Sequence, residues 1–219
     1  MTDNYRPISL LSVFNNLFEK CIARQLVNFL ETNKVFYDFQ FGFRKLFSTS
    51  FALLELVDMI KHELDSGHYV MGVFIDFKKA FDTVDHAILL EKLSYYGVRG
   101  HVNNFFKSYL LNRSQYTVIN DIQSSTQPIT CGVPQGSVLG PILFLLYIND
   151  IYKITNSAKV RLFADDTSIY FKDKSVDMLK QDSVICLTEL FKWCNCNKLT
   201  VHENKCSFIL FSTKKQRNA

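Results

Sequence analysis

Two apolar, strand-like stretches in this chain end on aspartate. The run VMGVFID reaches Asp76, and the runs 159–164 and 167–172 flank the adjacent pair Asp165-Asp166. A carboxylate at the end of an apolar strand is costly to bury unless a cation receives it. Two strand-like runs joined by two residues read as a hairpin, with Asp165-Asp166 at its tip. Hairpin tips favour Asn-Gly or Asp-Gly, because glycine takes positive φ at little cost. Adjacent carboxylates at such a tip repel and strain the turn, which is best tolerated when a divalent cation neutralises them. Either feature alone is compatible with plain solvation of a strand end or a turn. Placed side by side, they would converge two or three carboxylates at one sheet edge. Mg²⁺ prefers carboxylate and phosphate oxygens plus water. Two such ions roughly 3.5–4 Å apart activate an attacking hydroxyl and stabilise a leaving pyrophosphate. The chemistry indicated is nucleotidyl transfer.

The rest of the chain supplies a setting for such an edge. Leu10, Leu11, Phe14, Leu17, Phe18, Cys21, Ile22, Leu26, Phe29 and Leu30 recur at three-and-four spacing, which predicts a helix over 10–31. Further helices are expected over 50–66 (Ser48 or Ser50 as cap, Gly67 as stop), 84–96, 101–111, 137–153 and 175–196. Strands are expected over 69–76, in the hairpin, and over 207–212. Alternation predicts a strand over 115–120, Asn120-Asp121 a turn, and the residues after it a weaker strand toward Thr130. The tail 214–219 is expected to fray. The order predicts an α+β fold with a small antiparallel sheet and a helix-rich lobe in front of it. At 219 residues the chain allows one large domain or a domain with a lobe.

Composition excludes some alternatives. Hydrophobic residues at 47% and charged residues at 21% argue against disorder. The longest apolar run, 141–148, is too short to span a bilayer, so no membrane partner is expected. Six cysteines without regular spacing and no signal peptide point to reduced thiols inside the cell. Residues 1–171 carry 16 basic and 16 acidic groups, whereas 172–219 carry 9 and 5, which is the whole surplus of +4. A pI of 8.6 does not by itself announce a nucleic-acid binder.

Two further constellations stand out. Gly132-Val133-Pro134-Gln135-Gly136-Ser137, opening a helix, would let backbone approach a ligand closely; it is equally a loop with Ser137 as cap. Cys194, Cys196, His202 and Cys206 could be drawn as a zinc site. However, one residue rather than two separates the first pair, and on a helix those two point about 200° apart.

Taken together, NYRPISLLS (4–12), QFGFRK (40–45), FIDFKKAFDTVDH (74–86), GVPQGSVLGPILFLLYINDI (132–151), FADDTSIY (163–170) and NKLTVHENK (197–205) resemble the reverse transcriptase domain of non-LTR (LINE-type) retrotransposons over nearly the whole chain. The resemblance implies a right-hand polymerase with fingers over 1–68, a palm over 69–212 containing a fingers insertion near 97–130, and a tail at 213–219 leading toward a missing thumb. It implies RNA-directed DNA polymerase activity: dNTPs added to a DNA primer 3′-OH on an RNA template with two Mg²⁺, Mn²⁺ being an alternative. Asp76, Asp165 and Asp166 would be the catalytic aspartates. Asp76 and Asp165 would hold both metals, Asp166 would ligate less directly, and the Phe77 backbone carbonyl would assist. Lys205 would protonate the leaving pyrophosphate. Phe81 would exclude the ribose 2′-OH. Arg44 would meet the triphosphate, Gln135 and Gly136 the nucleotide, and Arg6 and Lys45 the template or primer. Endonuclease and thumb segments would belong to a larger polyprotein acting in a nuclear or cytoplasmic ribonucleoprotein. Leu46 and Phe47 depart from the basic or polar pair usual after Arg44-Lys45, and His202 and Cys206 stand where Asn and Thr are common. The competing expectation is a truncated, inactive relic that only binds nucleic acid or folds. A nucleotidyl cyclase on a similar palm needs neither the GVPQG loop nor the QFGFRK block.

Overall fold

The computed structural model describes residues 8–217. In chain order the elements are α1 (Val13–Thr32), α2 (Thr49–Asp65), β1 (Tyr69–Ile75), α3 (His86–Tyr95), α4 (His101–Leu110), β2 (Ser114–Gln115), β3 (Val118–Ile119), β4 (Ile122–Gln123), β5 (Gln127–Pro128), α5 (Leu139–Ile148), β6 (Lys159–Phe163), β7 (Asp166–Asp173), α6 (Val176–Cys196), β8 (Ser207–Phe211) and α7 (Lys214–Arg217). Short 3-10 turns lie at Ala80–Asp82, Ile151–Ile154 and Glu203–Lys205. The helices start where caps allow. Ser12 and Ser48 accept from Asn15 N–H and Phe51 N–H, and Asp85 accepts from Ala87 and Ile88 N–H.

The chain divides into two compact units. The first joins residues up to 35 with 79–147. Its centre is α5, apolar on every side and so able to sit only in a core. Leu139, Leu143, Phe144, Leu145, Leu146 and Tyr147 are buried in it. Lys92 of α3 donates to the Tyr147 carbonyl at 2.6 Å, and the Tyr147 hydroxyl accepts from Asp85 N–H at 3.3 Å. The strand expected over 115–120 and the weaker one expected from the turn toward Thr130 are reduced to the two-residue ladders β2–β5 and β3–β4. Every residue of these strands is exposed, so no buried face rewards a longer ladder. The expected turn at Asn120-Asp121 is there, with φ of 48° and 63°, the primed geometry of a tight hairpin.

The second unit joins 36–78 with residues from 148 onward. Its sheet has the order β6-β7-β1-β8, antiparallel throughout. Alternation puts Val160, Leu162, Ile169, Phe171, Val73 and Ile75 on one buried face. The other face carries Arg161, Ser168, Tyr170, Lys172 and Phe74. Glu55 and Glu63 of α2 pair with Arg161 and Lys172, so α2 covers that second face. The helix α6 packs along β7 and offers the stripe Leu179, Ser183, Cys186, Leu190 and Cys194 to the core. Fraying was the expectation for the tail, but its described part is one helical turn. Gln216 accepts from Thr213 N–H and donates to the Gly67 carbonyl.

Candidate active site

The strand β1 ends at Ile75, opposite Thr167 of β7. Asp76 follows the end of β1, and Asp166 is the first residue of β7, one step before Thr167. Both carboxylates line a cleft of about 440 Å³, with Phe41, Leu53, Leu56, Phe74, Arg161, Ser168 and Tyr170 also on its walls. Lys205 lines the same cleft, its Nζ 3.6 Å from Asp76 Oδ2. The segment after α6 delivers this lysine. His202 N–H donates to the Asp76 carbonyl at 2.7 Å, Lys78 N–H to the Thr200 carbonyl at 2.8 Å, and Lys205 N–H to the His202 carbonyl at 2.8 Å. The Phe77–Val201 bridge formed this way uses the backbone of Asp76 and Lys78, not the Phe77 carbonyl.

The hairpin turn differs from expectation by one residue. Phe163 pairs with Asp166, so the connection is Ala164-Asp165. The positive φ, 56°, falls on Ala164 rather than on either aspartate. Asp165 is half-buried within the turn, while Asp166 begins the strand and is exposed. The structure therefore brings Asp76, Asp166 and Lys205 onto one cleft and places Asp165 beside it in sequence, at the turn.

The QFGFRK block lies against this hairpin. Phe41 N–H donates to the Leu162 carbonyl and Leu162 N–H to the Phe39 carbonyl, forming a short parallel bridge beside β6. The side chain of Arg44 is engaged within the loop: it donates to the Tyr37 and Gln40 carbonyls and lies over the rings of Phe36 and Phe47. Phe47, where a polar residue is usual, joins Phe41 and Phe51 in an aromatic cluster. Lys45 is exposed. Arg6 lies outside the described residues.

Three residues of this unit were not singled out from sequence. Gln40 and Gly42 touch the hairpin turn. Arg161 is buried, paired with Glu55, and lies over Phe39 and Tyr170. Burial pushes its pKa down, with Tyr170 and Tyr37 opposing. A positive charge in the cleft wall favours nearby anions.

In the first unit, Gly132 lies at φ 86°, and a Cβ there would fall 2.7 Å from the Asp82 carbonyl oxygen. Only glycine permits the approach. Gly132 N–H and Val133 N–H donate to the carbonyls of Val84 and Phe81, and His86 Nε2 lies 2.8 Å from the Gly132 carbonyl oxygen. Gln135 Nε2 donates to Asp82 Oδ1 at 2.7 Å. Because a carboxylate only accepts, this bond turns the Gln135 amide nitrogen toward Asp82 and leaves its carbonyl oxygen as an acceptor. Gly136 takes φ 95° and is exposed. Phe81 is half-buried and stacks on Phe144, centroids 4.3 Å apart. Ser137 caps α5 as expected, accepting from Gly140 N–H. Glu19 of α1, also not singled out, is buried and accepts from Val138 and Leu139 N–H at 2.7 and 3.0 Å.

The cysteines fall on different sides of α6: Cys194 is buried and Cys196 exposed. Burial pushes the Cys194 thiol up to about 12. Among the described residues, no three His, Cys, Asp or Glu side chains gather as a metal-holding group. The Asp76–Asp166 pair nevertheless suits Mg²⁺. That ion takes one or two carboxylates and completes its shell with water and substrate phosphate rather than with a protein cage.

Residues 1–218 match the family described as Reverse transcriptase (RNA-dependent DNA polymerase). The chain is 33% identical to the probable RNA-directed DNA polymerase from transposon BS of Drosophila melanogaster, over 97% of this chain and 24% of that protein. It is 30% identical to the RNA-directed DNA polymerase from mobile element jockey of the same species, with the same coverage. The chain thus spans about a quarter of the length of these relatives. Among solved structures, apo telomerase from Candida tropicalis truncated from its C-terminal domain aligns over 91% of this chain and 41% of that one, with TM-score 0.62 at 12% identity. At that identity the likeness concerns the fold, and it agrees with an α+β polymerase architecture. Enzymes of this family generally work with divalent metal ions. The chain belongs to the reverse transcriptase (RNA-dependent DNA polymerase) family, and its relatives there are those of non-LTR retrotransposons.

Proposed function

We propose that this chain is an RNA-directed DNA polymerase domain that extends a DNA primer on an RNA template with dNTPs. The observation that carries this reading is that Asp76, Asp166 and Lys205 line one cleft, with the Lys205 ammonium 3.6 Å from the Asp76 carboxylate. Two carboxylates lining one cleft, with an ammonium beside one of them, form an anionic site that a divalent cation would fill. Asp76 and Asp166, with Asp165 from the turn and the Phe77 carbonyl, would hold two Mg²⁺, Mn²⁺ being an alternative. Bound there, the ions would lower the pKa of the primer hydroxyl and neutralise charge on the leaving pyrophosphate.

The chain's own groups do the remaining work. Lys205, its ammonium 3.6 Å from the Asp76 carboxylate, would give a proton to the leaving group. Arg161 adds fixed positive charge to the cleft wall. Phe81 excludes a ribose 2′-OH, and Gln135, its amide oriented by Asp82, offers an acceptor to the incoming nucleotide. Gly136 lets backbone approach that nucleotide. Arg44 stiffens the loop carrying Lys45 and supplies positive charge toward the triphosphate. The fingers role belongs to 1–68 and the palm role to 69–212. Rate enhancement comes mainly from positioning and electrostatic stabilisation.

Primer extension on an RNA template, with Mg²⁺ and dNTPs, tests the reading. Asp76→Asn and Asp166→Asn should each lower the rate on the order of a thousandfold, the several kcal/mol a metal centre supplies, while RNA retention in a filter assay is unchanged. Wild-type rates in either variant would overturn the assignment. RNA binding without any synthesis by the parent chain would favour an inactive relic.

A further inference from the structure

The turn that carries Asp165 is conformationally expensive. Ala164 sits at φ 56°, in the left-handed region that residues with a Cβ avoid. Such a conformation persists only where its surroundings hold it. Here they come from one side chain 124 residues earlier in the sequence. Gln40 is fully buried, and its Oε1 accepts from Ala164 N–H at 3.0 Å and from Gly42 N–H at 2.9 Å. Gly42 completes the fit: a Cβ on it would fall 2.3 Å from the Ala164 nitrogen. Neighbouring backbone bonds, Phe41 N–H to Leu162 carbonyl and Leu162 N–H to Phe39 carbonyl, keep Gln40 in register with β6. One amide oxygen thus ties the catalytic hairpin to the segment before α2.

We propose that Gln40 is a positioning residue for the metal-binding turn: it holds Ala164 in its left-handed conformation and thereby sets where Asp165 and Asp166 present their carboxylates. The inference rests on the polymerase reading above. Gln40 touches neither metal nor substrate; its effect passes through the Ala164 amide. Groups that support metal ligands in this way change metal affinity more than they change the chemistry of the loaded site.

The test uses the full 219-residue chain and two readouts. Amide hydrogen exchange reports the anchor without requiring activity. Gln40→Met, close in shape but without an acceptor, should abolish protection at Ala164 and Gly42. Gln40→Glu, which keeps an oxygen in place, should preserve it. In primer extension, Gln40→Met should raise the Mg²⁺ concentration for half-maximal rate by about 10–100-fold, with the rate at saturating Mg²⁺ changed far less. Adding Ala164→Gly, which makes the left-handed conformation inexpensive, should return most of the lost Mg²⁺ affinity. Should Gln40→Met not fold, Gln40→Asn retracts the acceptor and is held to the same expectations. Unchanged protection at Ala164, or an unchanged Mg²⁺ requirement in a chain that Asp166→Asn inactivates, would overturn the role of Gln40. An active Asp166→Asn chain would instead overturn the polymerase site itself.

Discussion

Phe81 stacks on Phe144 at 4.3 Å and is half-buried, so a packing role and a substrate role both fall on one ring. The two separate on mutation. Phe81→Val removes ring area and should destabilise the chain by about 1–2 kcal/mol, less than full core truncation because the site is only half-buried. If the ring also excludes the 2′-OH, the ratio of ribonucleotide to deoxynucleotide kcat/KM should rise at least about tenfold, the discrimination that steric selection commonly achieves. An unchanged ratio with lowered stability would leave Phe81 a packing residue. At this scale legibility depended on where a residue's partner lies. Asp76 and Asp166 stood out because carboxylates at apolar strand ends conflict with local burial. Gln40 did not, because one of its two partners is a backbone N–H 124 residues away and nothing nearby marks it as buried. Arg161 read as an ordinary polar position in an alternating hairpin; Glu55, from α2, makes it a buried charge.

Elements were legible where burial follows period. Helices α1, α2 and α6 lie within about three residues of their expected bounds; the stripes of α1 and α6 put apolar residues in a core, whereas α2 buries only Glu63 and is bounded by its Ser48 cap and Gly67. The ladders over 114–128 were not legible, because alternation predicts a strand only when one face is covered and here both are exposed. Glu19 shows the opposite failure. It sits at a helical position where a glutamate normally meets solvent, yet it caps α5, whose first N–H groups lack intrahelical partners. Its other oxygen accepts from Tyr109 Oη at 2.9 Å and Asn15 Nδ2 at 2.7 Å. Glu19→Ala would strand four donors in a buried site. That should cost about 2–4 kcal/mol and lower the melting temperature by roughly 5–15 °C for a chain of this size. Glu19→Gln, retaining one acceptor, should lose less than half as much in the same circular-dichroism melt. Equal losses would mean that volume rather than the cap matters.

On the scale of the whole molecule, charge decides how firmly nucleic acid is held. The surplus of +4 resides entirely in 172–219, yet many of those cations are already committed. Lys172 pairs with Glu63, Lys180 with Asp177, Lys192 with Glu189, and Lys205 with Asp76. Exposed pairs exchange readily for phosphate, so they weaken rather than forbid a nucleic-acid contact. The balanced remainder of the chain includes Asp76 and Asp166, the carboxylates proposed to hold metal, which repel phosphate unless cations neutralise them. About four phosphate contacts is then a fair expectation, and each releases counterions when formed. A plot of log affinity against log salt should have a slope of about −3.6, and affinity for a template–primer duplex should fall roughly 150-fold between 50 and 200 mM salt. Mg²⁺ at concentrations that load Asp76 and Asp166 should raise affinity at constant ionic strength, and Asp76→Asn should remove that increment. Fluorescence anisotropy across a salt series, with and without Mg²⁺, measures both effects. Nanomolar binding that persists at high salt would require a larger basic surface than this chain carries. The matched relatives are about four times as long, which leaves ample length for additional phosphate contacts in them. Weak, salt-sensitive binding here is therefore compatible with the proposed activity, because a chemical step at the cleft around Asp76 and Asp166 would depend on local geometry rather than on the total charge.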